Sequence, residues 1–162
     1  MTSVRCENQC PQVDDLPRAE QVFFWSLRVW YVSQVEGVSA RALLRQVFAR
    51  HGIVRAFEPF ESLMHAMFNG LTEWPDIRCT QAGCIGDHES RMLVALAALQ
   101  FGEEITARRV LRSWLAPTAV RAVIQHGRAC VDYARQADLF LQPPDRFARK
   151  SGHPGRSTSP AM

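Results

Sequence analysis

Apolar residues along this chain recur at helical spacing, and no stretch shows the strict alternation of a half-buried strand. The first block spans 18–36, with Pro17 suited to its first turn and Gly37 closing it. Its Val22, Phe23, Phe24, Trp25, Leu27, Val29, Trp30, Tyr31, Val32 and Val35 cover more than one stripe. Such a helix is either central or faces a partner. A second helix is predicted over 39–51, from Ser39 as N-cap to the stop at Gly52, with Leu43, Leu44, Val47 and Phe48 on one side. Arg41, Arg45 and Arg50 fill the rest of it. A third covers 59–69 and ends on Gly70, its Phe60, Leu63, Met64, Met67 and Phe68 keeping the same period.

After a loop over 71–86 the pattern resumes. The block 87–101, closed by Gly102, is apolar on every side from Met92 to Leu99 and belongs in the middle of a bundle. Helices follow over 106–115 and 117–141, the last opening on Pro117 and stopped by Pro143 and Pro144. Within it Gly127 marks a bend or a close approach to a neighbour. The pattern predicts an all-α, compact bundle of about six helices. A single helical domain covers 18–142, in halves 18–70 and 87–142. A flexible segment precedes it over 1–17, and a disordered tail rich in Arg, Ser, Pro and Gly follows over 143–162.

The halves echo one another. Ala40, Arg41, Leu44, Arg45 and Ala49 match Ala107, Arg108, Leu111, Arg112 and Ala116 identically, and the same offset lays the first helix over the fourth. Two three-helix units related by an internal duplication account for this. Chance resemblance between capped amphipathic helices rich in Arg, Leu and Ala accounts for it equally.

Composition narrows the class. The 162 residues are 47% hydrophobic, enough for one domain with a proper core. Nineteen basic against 16 acidic residues give a net charge of +3, which neither demands nor excludes nucleic acid. Residues 1–17 lack the apolar core of a signal peptide. The longest strictly apolar run, 92–99, falls far short of the roughly 20 residues a membrane span needs. The expectation is a soluble, cytoplasmic protein with no membrane partner. In that compartment five cysteines are free thiols or ligands rather than a disulfide frame.

The candidate chemistry lies in the stretch CTQAGCIGDHESR. Cys79, Cys84 and His88 stand as C-x4-C-x3-H, and Asp87 occupies an N-cap position with Ser90 three residues on. Cys84 then sits just outside a helix N-terminus, where a thiolate is favoured. Zinc takes four soft ligands in a structural site. Three are here, and the fourth would be Cys6, Cys10, Asp87, Cys130 or water. Three readings fit the loop: small thiols in a turn with a capping aspartate, a bound zinc ion, or a reversible Cys79–Cys84 disulfide.

Other signals are weaker. Arg41, Arg45, Arg108 and Arg112 offer phosphate contacts. In a helix-turn-helix reading, however, a second helix begun near Val54 meets Pro59 in its interior and carries Glu58 and Glu61. Asp87, His88 and Glu89 are adjacent, so a helix does not converge them on one atom. His51, His65 and His126 are scattered, Met64 and Met67 read as core, and neither a phosphate loop nor a nucleophile elbow is present. Catalysis is not the favoured reading. Trp25, Trp30 and Tyr31 on the first helix are the candidate interface residues. The leading expectation is a small helical interaction or regulatory protein that self-associates or binds a protein partner, with zinc as its candidate cofactor. A DNA-associated regulator using helices 39–51 and 106–115 is the alternative, and a thiol redox sensor the second.

Overall fold

A computed structural model describes residues 12–144. They form six helices: α1 (Arg18–Glu36), α2 (Arg41–Arg50), α3 (Phe57–Asn69), α4 (Asp87–Gln100), α5 (Glu104–Arg112) and α6 (Pro117–Gln136). Two short 3-10 turns, Val13–Asp15 and Val54–Ala56, precede α1 and α3. No strand occurs among the described residues, only isolated bridges between Gln12 and Cys84 and between Leu71 and Leu115. No helix is long and apolar enough to cross a membrane. The fold is all-α.

Local chemistry accounts for most helix ends. Gly37, Gly52 and Gly102 take positive φ just past α1, α2 and α4, and return their amides to the preceding carbonyls. Helix α6 stops sooner than its prolines suggest, because Asp138 supplies the same left-handed turn at φ 58° and Leu139 N–H bonds Ala134 O at 2.9 Å. The chain then folds back. The buried Gln100 carboxamide accepts from Leu141 N–H at 2.7 Å and donates to Leu139 O at 3.0 Å, and Glu20 accepts from Gln142 N–H at 2.5 Å. A buried polar side chain paired this way holds a strap rather than costing stability.

One hydrophobic core runs from Val13 to Leu141. Helix α4 lies in its middle, as its all-round apolar pattern requires, with Met92, Leu93 and Ala95 to Leu99 all buried. It packs on α1, α5 and α6, while α3 lies against α6. Gly127 is a close approach rather than a bend: a Cβ there would sit 2.8 Å from Leu99 Cδ1 and 3.4 Å from Leu63 Cδ1. Residues 13–16, expected within a flexible arm, instead bury Val13 and Leu16 against the core. Residues 1–11 and 145–162, the rest of the arm and nearly all of the tail, lie outside the described residues.

Candidate functional site

Loop 71–86 is the longest stretch without helix among the described residues, yet its backbone is tied down at both ends and in the middle. At its start Thr72 donates N–H and hydroxyl to Trp114 O at 3.1 and 3.0 Å, and Gly70 O accepts from Ala116 N–H. At its far end Gly83 O accepts from Val13 N–H at 2.9 Å. The middle is held by a buried charge pair.

That pair is Arg28 on α1 and Glu89 on α4, both fully excluded from solvent. Arg28 Nε and Nη2 donate to the two carboxylate oxygens at 2.6 and 2.9 Å. Its Nη1 and Nη2 also donate to the loop carbonyls of Ala82 and Cys84, each at 2.6 Å. Glu89 in turn accepts from the loop amides of Arg78 at 3.1 Å and Gly86 at 2.6 Å. The Phe24 ring lies under the guanidinium, 4.2 Å from its centroid. A charge pair leaves water at low cost only when its remaining lone pairs and protons are met, and loop backbone meets them here.

Glu89 thereby corrects the expected cap. The N-cap of α4 is Gly86, not Asp87, and Glu89 at the third helical position supplies the carboxylate half of a capping box to Gly86 N–H. Glycine is required there, because a Cβ would fall 2.2 Å from Asp76 O. A second carboxylate completes the cap from across the loop: Asp76 Oδ2 accepts from Asp87 N–H at 2.9 Å. That hydrogen bond, helped by Arg78 against some desolvation, holds the Asp76 carboxyl below its ordinary value.

His88 also serves the loop. Its Nδ1 accepts from Asp76 N–H at 2.8 Å, so the ring proton sits on Nε2, 3.0 Å from Glu73 Oε1. The ring packs edge-on against Trp114, which is fully buried and whose indole N–H has no partner among the described residues. Both imidazole nitrogens are thus engaged within the loop. No group of three or more His, Cys, Asp or Glu among the described residues is placed to hold a metal ion. Cys79 is exposed, and the half-buried Cys84 thiol accepts from Gln12 Nε2 at 3.8 Å. Cys130 is buried on α6 with its thiol toward Ala56 O, and burial pushes its pKa far above the ordinary 9.0. Cys6 and Cys10 lie outside the described residues.

The arginines proposed for phosphate are largely committed to carboxylates. Arg41 pairs with both Glu58 and Glu61, Arg45 lies 3.7 Å from Glu58, and Arg108 bonds Glu104 at 2.6 Å. Arg112 is exposed. Pro59 is no obstacle to the helix after α2. The 3-10 turn delays α3, which puts Pro59 in its first turn, where a missing N–H goes unnoticed.

Of the three interface candidates, Trp30 is corrected: at 3% exposure it is a core residue, edge-on to Phe68 and His65. Both of those rings belong to α3. Tyr31 is half-buried against Phe68, and Trp25 is 37% exposed. The residue that stands out is Trp74, at 88% exposure in the loop. No periodicity marks a loop residue, so the helical pattern passes over it. Comparison with protein-family models, curated proteins and solved structures finds no match to this chain.

Proposed function

We propose that this chain is a helical interaction protein whose contact surface is loop 71–86, with Trp74 as its anchor. One observation carries the reading: a tryptophan 88% exposed on a backbone pinned by Thr72 on one side and Asp76 on the other. An exposed indole on a mobile loop loses much of its contact energy to ordering. On a loop already held, that cost is met during folding and the side chain is free to bury its 150–250 Å² on a partner (about the usual area for an aromatic). Tryptophan is the residue type most enriched among interface hot spots.

This reading also gives the Arg28–Glu89 pair a purpose. A hydrophobic pair of similar volume would stabilise the bundle as well or better. It would not hold four loop backbone groups at once. The polar network is suited to presenting the loop.

The experiment replaces Trp74 by the photocrosslinking residue benzoylphenylalanine in cells that express the chain. Position 125, exposed on α6, serves as control. A discrete adduct from position 74 and none from 125 supports the reading. No adduct at 74, or the same adducts at both, ends it.

A further inference from the structure

The contact loop and a second surface of the same chain carry charge of opposite sign. Asp76 in the loop is matched by Arg78, and Asp87 at the start of α4 by Arg91. Glu73, beside Trp74 and half exposed, has no arginine or lysine in ion-pair reach among the described residues, its contact being His88. On α5 the buried positions Ala107 and Leu111 define the inward side, which leaves Ile105, Arg109 and Arg112 on the outward one. Ile105 is 77% exposed, and neither arginine has a carboxylate in reach among the described residues.

The two surfaces are neighbours. Trp74 follows Thr72 by two residues, Trp114 follows Arg112 by two, and Thr72 is bonded to Trp114 O. Adjacent complementary patches on one chain have a simple closed solution. In a twofold dimer the first patch of each copy meets the second patch of the other, so both contacts form at once and no surface is left to propagate. The loop alone is better suited to a different partner only if that partner supplies what α5 of a second copy already offers: an apolar side chain for the indole and a cation for Glu73. A guanidinium over the indole face adds attraction of its own.

We infer that the partner seated on the Trp74 loop is a second copy of this chain, through its Ile105–Arg109–Arg112 stripe. This rests on the loop being a contact surface, and it adds which partner occupies it. Glu73 meets Arg109 and Arg112 across the twofold, and Trp74 covers Ile105.

Sedimentation of the full chain tests it with charge reversal. The wild type is expected to show a concentration-dependent species of twice the 18.3 kDa chain mass, weakened by salt. Glu73→Arg sediments as a monomer, and so does Arg109→Glu with Arg112→Glu. Mixed in equal amounts, these two variants regain the dimer, because each loop now faces a stripe of opposite sign. All three side chains are exposed, so helix should be retained, which circular dichroism of each variant checks. A wild type that stays monomeric at millimolar concentration overturns the inference. So does a dimer indifferent to the reversals, or a mixture that stays monomeric. A monomer that still gives one foreign adduct from position 74 removes the second copy but leaves the contact surface standing.

Discussion

Arg28 and Glu89, 61 positions apart, meet through two hydrogen bonds of 2.6 and 2.9 Å with no solvent access to either side chain. Their remaining capacity is filled from the loop, so the pair joins three segments: α1, α4 and the chain between residues 78 and 86. Removing one partner strands the other charge in the core. Glu89→Gln and Arg28→Met are each expected to cost about 3–5 kcal/mol in urea unfolding. The double change Arg28→Met with Glu89→Leu is expected to cost less than the sum of the singles, since it strands no charge. It still frees the loop, so the amides of Arg78 and Gly86 should exchange faster even where global stability recovers. Single variants within about 1 kcal/mol of wild type would show that the pair is not isolated from water.

Gly70 ends α3 at φ −102°, so its identity is not explained by a left-handed turn. The reason is steric: a Cβ there would lie 2.0 Å from Ala119 Cβ on α6. Gly70→Ala is expected to cost about 1–3 kcal/mol by overpacking. Ala119→Gly should cost about 1 kcal/mol by helix propensity alone. Combined, the two should be less damaging than their sum, and thermal melts of the four proteins give the coupling directly. Strict additivity would place the Gly70 constraint elsewhere.

The helices were legible because their signals are local. Apolar period, Pro at a first turn and Gly past an end located α1 with its observed bounds and every other helix to within a few residues, apart from the overlong α6. The error at α6 has the same cause: Asp138 took a left-handed turn usually given to glycine, which a reading of prolines does not see. The loop was illegible for the opposite reason. Its conformation is set by Arg28, 50 residues before Arg78, and nothing near the loop in sequence announces that. Two clues were present. An arginine inside the apolar run from Phe23 to Trp30 had to find a buried acid, and Glu89 stands three residues after Gly86 at capping-box spacing. The C-x4-C-x3-H spacing suggests a metal, but in the fold the Asp76 amide and the Glu73 carboxylate take both nitrogens of His88.

Acid should loosen the loop before the bundle. The Asp76 carboxyl is lowered from 3.8, first by the hydrogen bond from Asp87 N–H, so the folded state binds its proton less readily than the unfolded chain does. Stability from this group is therefore present above the ordinary value. It is lost as pH falls below 3.8 and through the lower folded value. Asp76 is 44% exposed, so the effect is local and modest. Asp76→Asn should flatten the acid side of a stability-against-pH curve for the start of α4, read by amide exchange at Asp87. An unchanged acid limb in that variant would mean that another carboxylate governs the cap.

The thiols give a graded probe of the same architecture. Cys79 is exposed, Cys84 is half-buried and bonded by Gln12, and Cys130 has no solvent access. Reaction needs both access and thiolate, and burial denies Cys130 each of them. In a Cys6→Ser, Cys10→Ser background, iodoacetamide should label Cys79 first and Cys84 more slowly. Cys130 should be labelled only at the rate of global opening, its labelling rising with urea in step with unfolding. Arg28→Met should accelerate Cys84 by local opening, because the guanidinium holds the Cys84 carbonyl, and Cys130 through its lower global stability, with Cys79 still labelled before Cys130. Peptide mass spectrometry after a timed quench reads all three sites in one sample. Equal rates at Cys79 and Cys84 in the wild type would mean that the loop moves freely, and the case for a pre-ordered Trp74 would go with it.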